Sequence, residues 1–94
     1  MKIYQLRSNK PNSHYKSITV VAVNEKAALN IHPNSEEGVY QYYEQSKTWW
    51  LVRKEGLKEP EQDDTWTPKE DIEVTELGDC DVYLADRILG YKLR

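Results

Sequence analysis

The order of apolar and polar residues predicts an α+β fold: an antiparallel sheet of about five strands, with one short helix over residues 24–32 packed on one face. Three observations carry this reading. Tyr15 to Val23 alternates apolar residues on both faces, as a central strand does. Asn24 follows at once, with the short side chain of an N-cap, before a helix-compatible run that Pro33 stops. Ile72 to Leu77 alternates apolar with polar, the pattern of a half-buried strand.

The remaining elements fall into order around these. Ile3 to Arg7 mixes β-formers with polar residues and reads as the first strand; the Ser8-Asn9-Lys10-Pro11-Asn12-Ser13 break after it is rich in turn residues, so the first two strands form a hairpin. Within residues 24–32, Glu25 suits the positive end of the helix, and Ala27 or Ala28 with Ile31 forms the face that lies on the sheet. Such a helix has about two turns and is not stable alone. Residues 35–45 fit either state: Ser35-Glu36-Glu37 can cap a helix, while Val39 to Tyr43 has strand propensity. Trp49 to Val52 reads as a strand, residues 55–65 as an exposed acidic loop, and Trp66 to Asp71 as a turn or one helical turn with Pro68 at its start. Arg87 to Leu93 closes the sheet.

With 94 residues the chain has the length of one domain, residues 1–94, with a modest core. A single cysteine, Cys80, excludes an internal disulfide framework and suits a reducing compartment. The N-terminus lacks the apolar stretch of a signal peptide, and no window approaches the roughly 20 apolar residues that span a bilayer, so the expectation is a soluble cytoplasmic protein without membrane contact. Net charge is −3 but unevenly placed: residues 1–54 carry eight Lys/Arg against four acids, and residues 55–94 carry five against twelve. The absence of an overall basic balance argues against direct nucleic-acid binding and instead suits docking on a basic partner, head-to-tail self-association, or a solvated acidic loop.

No local pattern carries catalytic or metal chemistry. His14 and His32 lack metal-ligand spacing, and His32, beside Pro33 at a helix end, suits a structural role there. Asp79-Cys80-Asp81 offers two carboxylates but too few oxygens for calcium, and two flanking acids oppose thiolate formation at Cys80. The four glycines, at 38, 56, 78 and 90, are isolated and make no phosphate cradle. No enzyme, cofactor or metal is expected.

The aromatic residues are the informative feature. All carry a polar tip, seven Tyr and three Trp without a Phe, and six fall between Tyr40 and Trp66. Rings of this kind favour surfaces that are buried only part of the time. Trp49 and Trp50 are adjacent, so a strand sends them to opposite faces. Because a two-turn helix does not blanket five strands, one sheet face is expected to stay partly open, with Tyr42, Trp50, Arg53, Asp63, Asp64 and Trp66 as the candidate interaction surface.

Two segments also resemble a known group. Val20-Val21-Ala22-Val23-Asn24-Glu25-Lys26-Ala27-Ala28 with Ile31-His32-Pro33-Asn34, and Trp66-Thr67-Pro68-Lys69-Glu70-Asp71-Ile72-Glu73-Val74 with Leu77-Gly78, resemble a pattern in small bacterial and phage-encoded α+β proteins of unassigned activity. The resemblance implies a phage or mobile-element accessory protein. From the two readings together comes the functional expectation. It is a non-enzymatic interaction module that inhibits a host protein, such as a defence-system component with a basic nucleic-acid-binding site, through an acidic and aromatic surface. Two alternatives stand beside it: a small protein sequestering a nucleotide-like molecule by ring stacking with Arg53 or Arg87 on phosphate, and a self-associating subunit such as a homodimer.

Overall fold

The computed structural model describes residues 1–80 and 86–94. Among them lie seven strands, β1 (Lys2–Ser8), β2 (Tyr15–Ala22), β3 (Val39–Tyr43), β4 (Thr48–Arg53), β5 (Glu61–Asp63), β6 (Ile72–Asp79) and β7 (Arg87–Leu93), one helix, α1 (Glu25–Leu29), and a 3₁₀ turn at Lys69–Asp71. The fold is α+β, but the single five-stranded sheet expected from the sequence is replaced by two antiparallel sheets. One has the order β6-β1-β2-β7 and the other β3-β4-β5. The physical reason lies in coverage. Helix α1 is only five residues long and cannot enclose the apolar face of four strands, so the aromatic strands pair among themselves and supply the rest of the cover.

The four-stranded sheet is built around the β1–β2 hairpin. Register places Tyr4 opposite Val20 and Leu6 opposite Ile18, and the neighbouring strands add Val74 beside Leu6 and Ile88 beside Val20. Tyr4, Leu6, Ile18, Val20 and Ala22 thereby share one buried face, and Leu6, Ile18 and Val20 lose all contact with solvent. Ala28 of α1, Ile31, Trp49 and Trp66 complete this core. Helix α1 starts as its sequence dictates: Asn24 Oδ1 accepts from the Ala27 amide at 2.8 Å, and Asn30 ends it by donating its own amide to the carbonyls of Ala27 and Ala28. His32 lies beyond that end.

Residues 35–45 resolve into a turn through Glu37 followed by strand β3. The approach of β3 to β4 is close enough to require glycine at position 38. A Cβ there would sit 2.7 Å from Leu51 Cδ1 and 3.0 Å from the Arg53 carbonyl oxygen. Beside it the β3–β4 register shifts between Val39 and Tyr40, so that Val39 pairs with Arg53 and Tyr40 with Leu51. The segment 55–65, expected as an exposed acidic loop, is exposed only in part. It contains β5, which pairs Glu61, Gln62 and Asp63 with Leu51, Trp50 and Trp49. Strand formation turns Asp63 inward, whereas Glu55, Glu59 and Asp64 remain exposed. Among the described residues no helix is long and apolar enough to cross a membrane.

Candidate functional site

Strand β4 divides the expected surface into two. Trp49 points to the core and is 2% exposed, while Trp50 faces the other way and is half-buried, as the alternation of a strand requires. On the Trp50 side the register lines up Val39 with Arg53, Gln41 with Trp50, Tyr43 with Thr48, and Trp50 with Gln62. The register shift is what carries Arg53 onto this face. Tyr43 stacks on Trp50 with centroids 5.8 Å apart and planes 29° from parallel, and both Tyr43 and Val39 are exposed. The Trp50 Nε1 atom is shielded from solvent and has no hydrogen-bond partner among the described residues. The face is thus an aromatic ledge bordered by a guanidinium and two amide side chains.

Four of the expected residues are not on that ledge. Trp66 is 3% exposed and belongs to the core, which removes it as a surface anchor. Its ring meets Tyr15 edge-on at 6.4 Å, because the turn before the 3₁₀ segment folds it beneath β2. Tyr42 faces inward beside Trp49, with centroids 5.1 Å apart, and its hydroxyl donates to the Glu70 carboxylate at 3.0 Å. Burial and that acceptor push the Tyr42 phenol up to about 12. Asp63 is turned in. Together with Asp64, Trp49, Trp66, Lys10 and Lys47 it lines a separate cleft of about 240 Å³ where the two sheets meet.

Behind this cleft lies a polar network that no local pattern announces. His32, 1% exposed, stacks on Tyr40 with centroids 3.8 Å apart and planes within 6°. Its Nδ1 accepts the Asn34 amide at 3.0 Å, which places the ring proton on Nε2, and Nε2 donates to Asp63 Oδ2 at 2.6 Å. Thr65 Oγ1 donates to the same carboxylate at 2.9 Å and accepts from Asn34 Nδ2 at 3.3 Å, and Tyr15 donates to Asn34 Oδ1 at 2.5 Å. Burial alone would raise the Asp63 carboxyl, yet the His32 and Thr65 contacts hold it below the usual carboxylate range. Both imidazole nitrogens are committed and the ring is enclosed, so the pair clamps the 32–34 corner to β5 and has no nitrogen left to take a proton from a substrate. The expected contact of His32 with the helix end is replaced by this bridge. Its partners lie 31 residues apart in sequence, out of reach of any spacing rule.

A second connection runs through Lys69. Its ammonium sits 5.1 Å above the Tyr42 ring and 5.8 Å from that of Trp49, and donates to Asn30 Oδ1 at the end of α1. Burial lowers its pKa below the usual lysine value. Trp49 Nε1 donates to the Thr67 carbonyl at 2.9 Å. Among the described residues no group of three or more His, Cys, Asp or Glu is placed to hold a metal ion. Of the Asp79-Cys80-Asp81 cluster, the Asp81 position lies outside the described residues, and the Cys80 amide donates to the Met1 carbonyl at 2.9 Å. No protein-family model matches this chain, and neither a curated protein nor a solved structure is significantly similar to it.

Proposed function

We propose that the protein is a non-enzymatic interaction module whose docking surface is the Tyr43–Trp50 ledge, and that its partner presents a basic site. The observation carrying this reading is the ledge itself: two stacked rings left partly open while Trp49, one residue away, is fully enclosed. Tryptophan and tyrosine flanked by arginine is the composition of an interface hot spot. Charge supports the sign of the partner. Residues 36–64, which form this sheet and its loops, hold eight acids against four bases, and Glu44, Glu55, Glu59 and Glu61 are exposed. On the resemblance of the Val20–Asn34 and Trp66–Gly78 segments, the partner is a host protein and the chain an accessory factor of a phage or mobile element.

The test is capture from a bacterial lysate by the intact protein and by Trp50→Ala, Tyr43→Ala and Arg53→Ala, each checked for its fold by circular dichroism. The reading expects one basic protein to be retained by the native chain, to be lost with Trp50→Ala, and to weaken as salt rises from about 0.1 to 0.5 M, where exposed charges are screened. Retention by Trp50→Ala equal to the native chain would overturn it. A nucleotide-sequestering role has less support. Arg87 stands on the other sheet, which leaves Arg53 as the one arginine of that pair beside the stacked rings to meet a phosphate.

A further inference from the structure

Away from the ledge, the loop end of the β1–β2 hairpin gathers positive charge in a protein whose net charge is −3. A cleft of about 290 Å³ is lined there by Arg7, Ser8, Asn9, Pro11, Lys16 and Arg94, so that three cationic side chains share it with no Asp or Glu side chain among the described residues of its wall. They arrive from three strands. Arg7 is near the end of β1, Lys16 sits where the β2–β7 register shifts between Tyr15 and Ser17, and Arg94 follows β7.

One of the three is held firmly in place from behind. The Arg94 guanidinium donates through Nη2 to the Ser8 carbonyl at 2.9 Å, and its backbone amide donates to the His14 carbonyl at 3.1 Å. A guanidinium has five N–H donors, so this contact orients the group and leaves most of it open. Arg7 meets Glu73 at 3.4 Å with both side chains 55% exposed, a loose surface pair that holds little energy. Lys16 is exposed and forms no ion pair among the described residues. Lys16 and Arg94 form no ion pair among the described residues and Arg7 keeps only its loose one, so the three cations repel one another, and an anion seated between them relieves that repulsion.

We propose that this cleft is an anion site that takes a phosphate group. Three cations converging on one cleft, two of them guanidinium forks, match the charge and the several acceptor oxygens of a phosphate dianion. A carboxylate, with one charge and two oxygens, fills fewer of these donors. The site stands on the four-stranded sheet and the residues that border it, and is independent of the ledge and its partner.

The experiment is a backbone amide NMR titration of the intact protein with inorganic phosphate and with a simple phosphomonoester, at ionic strength held constant with chloride. Glutamate serves as the carboxylate control. Saturable shifts are expected at Ser8, Asn9 and Lys16 with both phosphates, and the two ligands together tell whether the free anion or an ester is preferred. Lys16→Gln, which removes an exposed and unpaired charge and so leaves the fold intact, weakens binding by about tenfold, as does Arg94→Gln. Trp50→Ala leaves the affinity unchanged. Affinity for the ester falls below about pH 6, where the phosphate loses its second charge. Shifts of equal size with chloride or glutamate, or an affinity that Lys16→Gln does not change, would show a diffuse surface effect and overturn the proposal.

Discussion

The two sheets solve the same problem by different chemistry. The four-stranded sheet contributes Leu6, Ile18, Val20 and Ala22 to the core, side chains whose burial is favourable in any orientation that excludes water. The three-stranded sheet contributes Tyr40, Tyr42, Trp49 and Asp63, which are set by hydrogen bonds, ring stacking and a cation over an aromatic face. The lesson is that the first sheet depends on volume and the second on direction. Small changes of shape are therefore tolerated in one, and small changes of polarity are not tolerated in the other.

Trp49 is where the two regimes meet, and removing it tests the comparison hardest. Trp49→Ala leaves a cavity and strands the Thr67 carbonyl, so a loss of about 3–5 kcal/mol is expected in urea unfolding. A loss under about 1 kcal/mol would mean that the three-stranded sheet is not coupled to the core. Next comes Asp63. Asp63→Ala leaves His32 Nε2 buried without an acceptor, for about 2–3 kcal/mol, and the near-isosteric Asp63→Asn still costs about 1–2 kcal/mol because a charge-assisted bond is lost. The pH dependence sharpens this. Because the folded-state carboxyl titrates below its ordinary value of 3.8, its contribution is complete above that value and disappears as pH falls through the lower folded one. Asp63→Asn should flatten that part of an acid unfolding curve, and an unchanged curve would refute the assignment.

Gly38→Ala probes the seam between β3 and β4. The added methyl would meet Leu51 Cδ1 and the Arg53 carbonyl, and a cost of about 1–3 kcal/mol is expected, with faster amide exchange confined to β3 and β4. The smallest effect belongs to the aliphatic side. Ile18→Val, at a position with no solvent contact, should lower stability by only about 0.5–1.5 kcal/mol. If it exceeds Asp63→Asn, the distinction between the sheets fails.

The same division explains what could be read from the sequence. Strands β2 and β6 and the Asn24 cap announce themselves through alternation and local capping chemistry, which involve residues next to one another. The opposite facing of Trp49 and Trp50 follows from the two-residue repeat of a strand. Sheet membership does not, because alternation states that a strand has two faces and not which strand lies beside it. Nor does the inward turn of Asp63: within a run of acids only the distant imidazole of His32 singles it out. Trp66 was expected at the surface because an indole next to acidic loops resembles an anchor, yet the core needed its volume.

Three indoles in unequal surroundings give this molecule a built-in optical signal. Trp49 and Trp66, shut away from water, will emit toward the blue and resist a dissolved quencher, while Trp50 will emit to the red and be reached first. Occupation of the ledge would therefore be visible in native fluorescence as the loss of the quenchable fraction, with no dye or tag attached.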